Sequence, residues 1–229
     1  MALYAISDLH LALSVDKPMD IFGPKWEKHD EKIYDNWVRK ISSEDTILIP
    51  GDISWSMTGE ESTTDLDWID SLPGKKIISK GNHDYWWSSI SKLNKLYDNT
   101  KFLQNNFYSY KDIAICGTRG WSCPLEFKFT EHDEKIYKRE LIRLRLSLDT
   151  AVKAGFKRFI IMLHYPPTVE PYQETEFTKV FKEYGVEKVI YGHIHGPKLA
   201  KALNGTYDGT QYIMASADFI DFNPILITE

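Results

Sequence analysis

Five apolar runs in this chain end in a residue able to hold a metal ion, at or just past the last strand position. The ends read Ile6-Ser7-Asp8-Leu9-His10, Ile49-Pro50-Gly51-Asp52, Ser79-Lys80-Gly81-Asn82-His83-Asp84, Met162-Leu163-His164 and Tyr191-Gly192-His193-Ile194-His195. A carboxylate has two oxygens and can join two cations. Imidazoles and an amide add neutral ligands that favour Mn, Fe or Zn over the all-oxygen surroundings of Ca or Mg. One fragment alone carries little, because a lone Gly-Asp is commonly a turn and a lone strand-end His commonly a hydrogen-bonded structural residue. The ordered set is far more specific, since five of the seven histidines fall in these fragments. The other two, His29 and His132, sit in charged segments and are expected to be solvated.

Eight short apolar runs could position these residues: Tyr4–Ile6, Ile47–Ile49, Ile77–Ile78, Ile113–Ile115, Phe159–Leu163, Val189–Tyr191, Tyr212–Met214 and Ile225–Ile227. Continuous apolar runs of this length read as strands buried on both faces. Between them lie helical patterns. The clearest is within Glu131–Ala154, where Tyr137, Leu141, Leu144, Leu148 and Val152 share a face and Gly155 supplies a stop. Weaker ones cover Asp30–Ile41, Thr64–Ser71, Ser88–Tyr97 and Thr175–Tyr184. Strands alternating with helices predict an α/β layered fold, in which sites form beyond the carboxyl ends of the strands. Irregular stretches at Ser14–Lys28, Ser54–Ser62 and Gly117–Thr130 are candidates for the walls of such a site.

The 229 residues show no internal repeat and no Pro/Gly/Ser-rich divider, so a single domain over 1–229 is expected. Hydrophobic and charged shares of 42% and 27% are those of an ordinary globular protein. The longest apolar runs fall far short of the ~20 residues of a membrane-spanning helix. The first strand begins too early to leave room for a signal peptide, so a cytoplasmic location is expected. A formal charge of −5 argues against a broad footprint for a nucleic-acid polymer and leaves room only for a local basic patch. Cys116 and Cys123 match neither a zinc pair nor a redox pair, and read as reduced packing residues.

The ordered motifs resemble those of the calcineurin-like metallophosphoesterase superfamily: DxH at Asp8 and His10, GD at Gly51-Asp52, GNHD at Gly81-Asn82-His83-Asp84, a strand-end His164, and GHxH at Gly192 to His195. The resemblance implies a four-layer α-β-β-α sandwich of two mixed sheets and a pair of divalent transition-metal ions (Mn, Fe or Zn). It assigns Asp8, His10, Asp52 and His195 to one ion and Asp52, Asn82, His164 and His193 to the other, with Asp52 bridging. It also makes His83 the group that contacts the phosphate or protonates the leaving oxygen, with Asp84 orienting its ring. Two divalent ions and two carboxylates sum to about +2, a centre suited to a phosphate anion. A bridging hydroxide is then the expected nucleophile in hydrolysis of a phosphomonoester or phosphodiester.

Departures from the pattern narrow the reading. Purple acid phosphatases carry a tyrosinate three residues after the bridging Asp, where this chain has Trp55, so a divalent pair is expected. Protein Ser/Thr phosphatases read GDxxDRG, and the Arg-Gly is missing from Gly51 to Met57. Small phosphoesters, nucleotides among them, are the expected substrates. Arg119 follows a strand and is a candidate phosphate anchor, with a surface salt bridge as the alternative. Trp55, Trp86, Trp87, Trp121 and Tyr165 lie beside the motifs and suit either base stacking or packing, with Trp55 and Tyr165 the candidate substrate contacts. The alternative from another class is a metal-site scaffold that binds a protein partner without catalysis.

Overall fold

Central strands bury both faces, and the apolar runs accordingly form the middle of two sheets. The computed structural model describes residues 1–124, 126, 128–196 and 202–229, so two positions of the Gly117–Thr130 stretch lie outside it. One sheet has the order β11-β1-β2-β3-β4, from β1 (Leu3–Ala5), β2 (Thr46–Pro50), β3 (Lys75–Ser79), β4 (Thr100–Leu103) and β11 (Ile225–Thr228). Its strands are parallel except β11, which runs antiparallel to β1. The other has the order β5-β6-β7-β8-β10-β9, from β5 (Tyr108–Tyr110), β6 (Ile113–Thr118), β7 (Arg158–Leu163), β8 (Lys188–Tyr191), β9 (Gly205–Tyr207) and β10 (Thr210–Met214). Its edge strands β5 and β9 are antiparallel to their neighbours, and its four central strands are parallel.

Side chains sort the molecule into four layers. Leu3, Ala5, Leu48 and Ile77 of the first sheet meet Ile115, Ile160, Met162 and Ile190 of the second in one apolar seam. On the outer face of the first sheet, Ile33 and Trp37 of α1 (His29–Lys40) and Leu66 and Ile69 of α2 (Ser62–Ser71) cover Ile47, Ile49 and Ile78, with the short α3 (Ile90–Leu93) beside them. On the second sheet, Leu144 and Leu148 of α4 (Glu131–Lys153) and Phe177 and Phe181 of α5 (Glu176–Tyr184) cover Phe159, Ile161 and Val189. The α-β-β-α sandwich is therefore present. Among the described residues, no helix is long and apolar enough to cross a membrane.

Helix ends follow from local chemistry. Thr130 caps α4 by accepting the Asp133 N–H, while the Asp133 carboxylate accepts the Thr130 N–H, a reciprocal box that satisfies two orphan donors. Gly185 ends α5 in the left-handed conformation. The helix expected over Ser88–Tyr97 shrinks to one turn because the Asn94 amide is spent on the edge strand, accepting from Phe102 N–H at 2.8 Å and donating to its carbonyl. His29 also departs from expectation. It opens α1 buried, with Nε2 3.2 Å from the His10 carbonyl and its ring edge-on to Trp26, so it braces the site instead of facing water. His132 is exposed and both cysteines are buried.

Candidate metal centre

The strand-end residues converge where the carboxyl ends of the two sheets meet. Asp8 and His10 follow β1, Asp52 follows β2, Asn82 and His83 follow β3, His164 follows β7, and His193 and His195 follow β8. Asp8, His10 and His195 form one group whose ligand atoms all lie within 4.8 Å of one another, and Asp52, His164 and His193 form a second. Asp52 Oδ2 faces both, 3.3 Å from His164 Nε2 and 3.8 Å from His10 Nε2, while Asp52 Oδ1 accepts the His83 N–H at 2.9 Å.

Reaching this arrangement strains the backbone. Asp8, His10, Asp52 and His193 have φ between 45° and 72°, a left-handed region that costs non-glycine residues on the order of 1–3 kcal/mol each and persists only where surrounding contacts enforce it. The contacts are visible. Asp8 accepts the His193 N–H through both oxygens and the Ser216 hydroxyl at 2.8 Å. Two glycines permit the approach, because a Cβ at Gly81 would collide with Asp52 Oδ1, and one at Gly192 with Asp8 Oδ2.

Asp84 does a different job from the one expected of it. Its carboxylate accepts backbone N–H groups of Gly81 (2.7 Å), Ile53 (2.8 Å) and Asp52 (3.0 Å) and the Trp86 indole N–H (3.1 Å). No hydrogen bond joins it to the His83 ring among the described residues. Asp84 thus ties the β2 and β3 loops together and positions Asp52 rather than the His83 ring. Burial, then the charge of Asp52, pushes its carboxyl up to about 6.

Lone pairs crowd around His164. Its Nδ1 lies 3.1 Å from the Pro50 carbonyl, an acceptor only, so Nδ1 donates and Nε2 of the neutral ring keeps a lone pair. Around that Nε2 stand Asn82 Oδ1 at 2.7 Å, Asp52 Oδ2 at 3.3 Å and His193 Nδ1 at 3.3 Å. Four electron-rich atoms aimed at one point ask for a cation. The other group is alike: His195 Nδ1 donates to Asp218 Oδ1 at 2.8 Å, which turns its Nε2 toward Asp8 Oδ1 at 3.6 Å. His10 is 3% exposed and its Nδ1 finds no partner. The donor set fits two transition-metal ions.

Electrostatics agree. Burial pushes the Asp8 carboxyl up, but hydrogen bonding and charge from His195 reverse this and hold it at about 2. Burial also opposes ionisation of Asp52, and His164 outweighs it, keeping that carboxyl well below the usual range. Burial pulls His10 down to about 4, and burial plus the His164 charge pulls His193 to about 3, leaving both neutral as ligands must be. Against burial, Asp52 raises His164 to about 8, and Asp218 with Asp8 raises His195 to about 10, so at neutral pH each of these two rings holds a second proton that a bound cation would displace.

Asp218 and Ser216 were not read from sequence, although Ala215-Ser216-Ala217-Asp218 directly follows the apolar run of β10 as the other motifs follow theirs. A carboxylate behind a metal-ligating His typically contributes 10- to 100-fold in metal affinity. Asp218→Ala is therefore expected to weaken binding at the Asp8, His10 and His195 group by roughly 10-fold or more, measured by chelator competition. Unaltered affinity would show that His195 needs no orienting partner.

The remaining candidates separate. Trp55 stacks on His10 (centroids 5.0 Å) and leans on His83 (4.5 Å), and it walls a cavity of about 420 Å³ with His10, His83, Met19, Trp26 and His195. Trp86 is core, and Trp87 is half-buried on Phe102 with its indole N–H donated to Gln104. Tyr165 is buried, its ring 4.1 Å from that of His193 and packed on Trp121, so it buttresses the imidazole. The ion pair that Arg119 makes is a buried one. Its guanidinium lies mostly buried over the Trp121 ring and 3.7 Å from Glu140.

Two adjoining His/carboxylate groups able to hold metal ions therefore stand at the strand ends of a two-sheet sandwich. The chain belongs to the calcineurin-like phosphoesterase family, whose model matches residues 1–197. In sequence it is similar to the Gene 66 protein of Mycobacterium phage D29, 33% identical over 97 residues, which make up 41% of this chain and 47% of that one. The chain spans about half the length of the curated relatives it matches, or less. In fold it is similar to the phosphopantetheinyl hydrolase of Mycobacterium tuberculosis (TM-score 0.61, 15% identity, 94% of this chain and 88% of that one). It is also similar to TT1561 of Thermus thermophilus (TM-score 0.56, 9% identity, 99% and 97%).

Proposed function

We propose that residues 1–229 act as one domain that hydrolyses a small phosphomonoester or phosphodiester. The donor atoms gathered around His164 Nε2 carry this reading, because a cation bound there would displace the ring's second proton and draw on all four at once. Asp8, His10, Asp52 and His195 would hold one divalent ion, and Asp52, Asn82, His164 and His193 the other, with Mn, Fe or Zn matching the donors. When bound, the pair supplies Lewis acidity and a water ionised near neutral pH. Asp52 keeps the two groups in register, and Asp84 keeps Asp52 in place. The His83 ring makes no hydrogen bond to another described residue and borders the 420 Å³ cavity, which leaves it available to the ester oxygen.

Met19, Phe22, Trp26 and Trp55 make that cavity apolar and suit it to a flat organic group on the ester. Aromatic or nucleoside esters should therefore outcompete alkyl esters, and Trp55→Ala should reduce that preference by roughly tenfold. Equal preference in the two proteins would remove Trp55 from the substrate's path. The direct test of the activity is to load purified protein with Mn(II) and offer chromogenic mono- and diesters. Hydrolysis of neither, with two ions bound, would return the scaffold reading.

A further inference from the structure

A second cavity, of about 340 Å³, shares no lining residue with the first and has a different character. Lys80, Arg119, Arg139 and Arg143 line it, with Glu140 the only acid among its lining residues. All three guanidiniums turn to one oxygen, Glu140 Oε1, at 2.9 Å from Arg143, 3.4 Å from Arg139 and 3.7 Å from Arg119. The other oxygen, Oε2, accepts the Thr118 hydroxyl at 2.5 Å. Lys80 makes no ion pair among the described residues, and the buried Arg119 Nε has no hydrogen-bond partner. In a chain of net charge −5, four cations around one buried carboxylate form a local excess of positive charge with unused donors. The neutral lining residues Ser88, Gln104 and Asn105 add polar groups.

The cavity adjoins the reaction centre through the backbone. Lys80 stands two residues before Asn82, and the Arg119 carbonyl accepts the N–H groups of His164 and Tyr165 at 3.0 Å each. Planar guanidiniums offer paired N–H donors that match phosphate oxygens, and a half-buried setting makes each such bond stronger than at the surface. We propose that this cavity is an anion subsite, which holds a phosphate group of the substrate other than the one hydrolysed. The inference rests on the phosphoesterase reading and narrows it to substrates with a second phosphate. A bare structural clamp on Glu140 would need one arginine, and three leave the cluster short of negative charge.

The test uses the metal-loaded full chain and two p-nitrophenyl phosphodiesters of the same short diol, one ending in a hydroxyl and the other in a phosphate. Wild type should favour the second by about tenfold or more in kcat/KM, and Arg139→Gln with Arg143→Gln should bring the ratio close to one. No preference in wild type, or a preference that survives both substitutions, overturns the subsite. Failure to hydrolyse either ester would instead strike the phosphoesterase reading. Calorimetric titration of the same proteins with inorganic phosphate then decides: one phosphate fewer bound by the variant retains an anion site here, and equal stoichiometry rejects it.

Discussion

Asp52→Asn is expected to reduce turnover by at least ~10³-fold and to leave no more than one divalent ion bound per chain. The substitution is nearly isosteric, so its effect isolates charge. Asn can still accept the His83 N–H through Oδ1, and the Asp84 carboxylate still receives the backbone N–H of residue 52, so the β2 and β3 loops keep their connections. What is lost is the anionic Oδ2 that faces His10 at 3.8 Å and His164 at 3.3 Å. An amide can bind one ion weakly but cannot offset part of the charge of two. Metal analysis on the gel-filtered protein, with turnover of a chromogenic ester, checks both halves. Two ions retained with turnover within tenfold of wild type would mean that Asp52 does not join the groups.

Every central strand was legible, whereas of the four edge strands only β11, read as Ile225–Ile227, was, and one physical reason covers the misses. A strand between two neighbours and two covered faces must be apolar throughout, as Phe159–Leu163 and Val189–Tyr191 are. The strands missed in sequence, β4, β5 and β9, all lie at sheet edges, where alternate residues meet solvent, so sequences such as Tyr108-Ser109-Tyr110 carry no continuous run. The residues proposed as ligands followed central strands and inherited their signal. Asp218 and Ser216 also follow a strand, but they act by hydrogen bonding to His195 and Asp8 rather than by matching a motif, and contacts across 23 and 208 residues leave no local trace.

Asp84 and His29 show the converse, residues whose local sequence suggested the wrong partner. Adjacency to His83 made Asp84 look like its orienting carboxylate. In the fold, four described backbone N–H groups within 3.4 Å claim the carboxylate instead. His29 sits among charged neighbours, yet the first turn of α1 carries it inward against Trp26 and Phe222, where its ring supports the His10 backbone. Both residues serve the strained loops, holding left-handed Asp52 and His10 where unsupported backbone would relax.

His83→Ala should lower turnover by roughly 10²- to 10⁴-fold on esters with poor leaving groups while two ions stay bound. The side chain is separable from the metal groups, because the contact His83 makes with Asp52 runs through its backbone N–H, which alanine retains. Leaving-group chemistry then distinguishes the two roles open to the ring. If His83 gives a proton to the departing oxygen, p-nitrophenyl esters, whose leaving group needs no proton, should lose far less than alkyl esters. If it only stabilises charge on the phosphoryl oxygens, both should fall alike, and His83→Gln, which keeps an N–H donor, should recover part of the loss. Turnover unchanged on both ester types would take His83 out of the reaction, and loss of a bound ion would make it part of the metal centre.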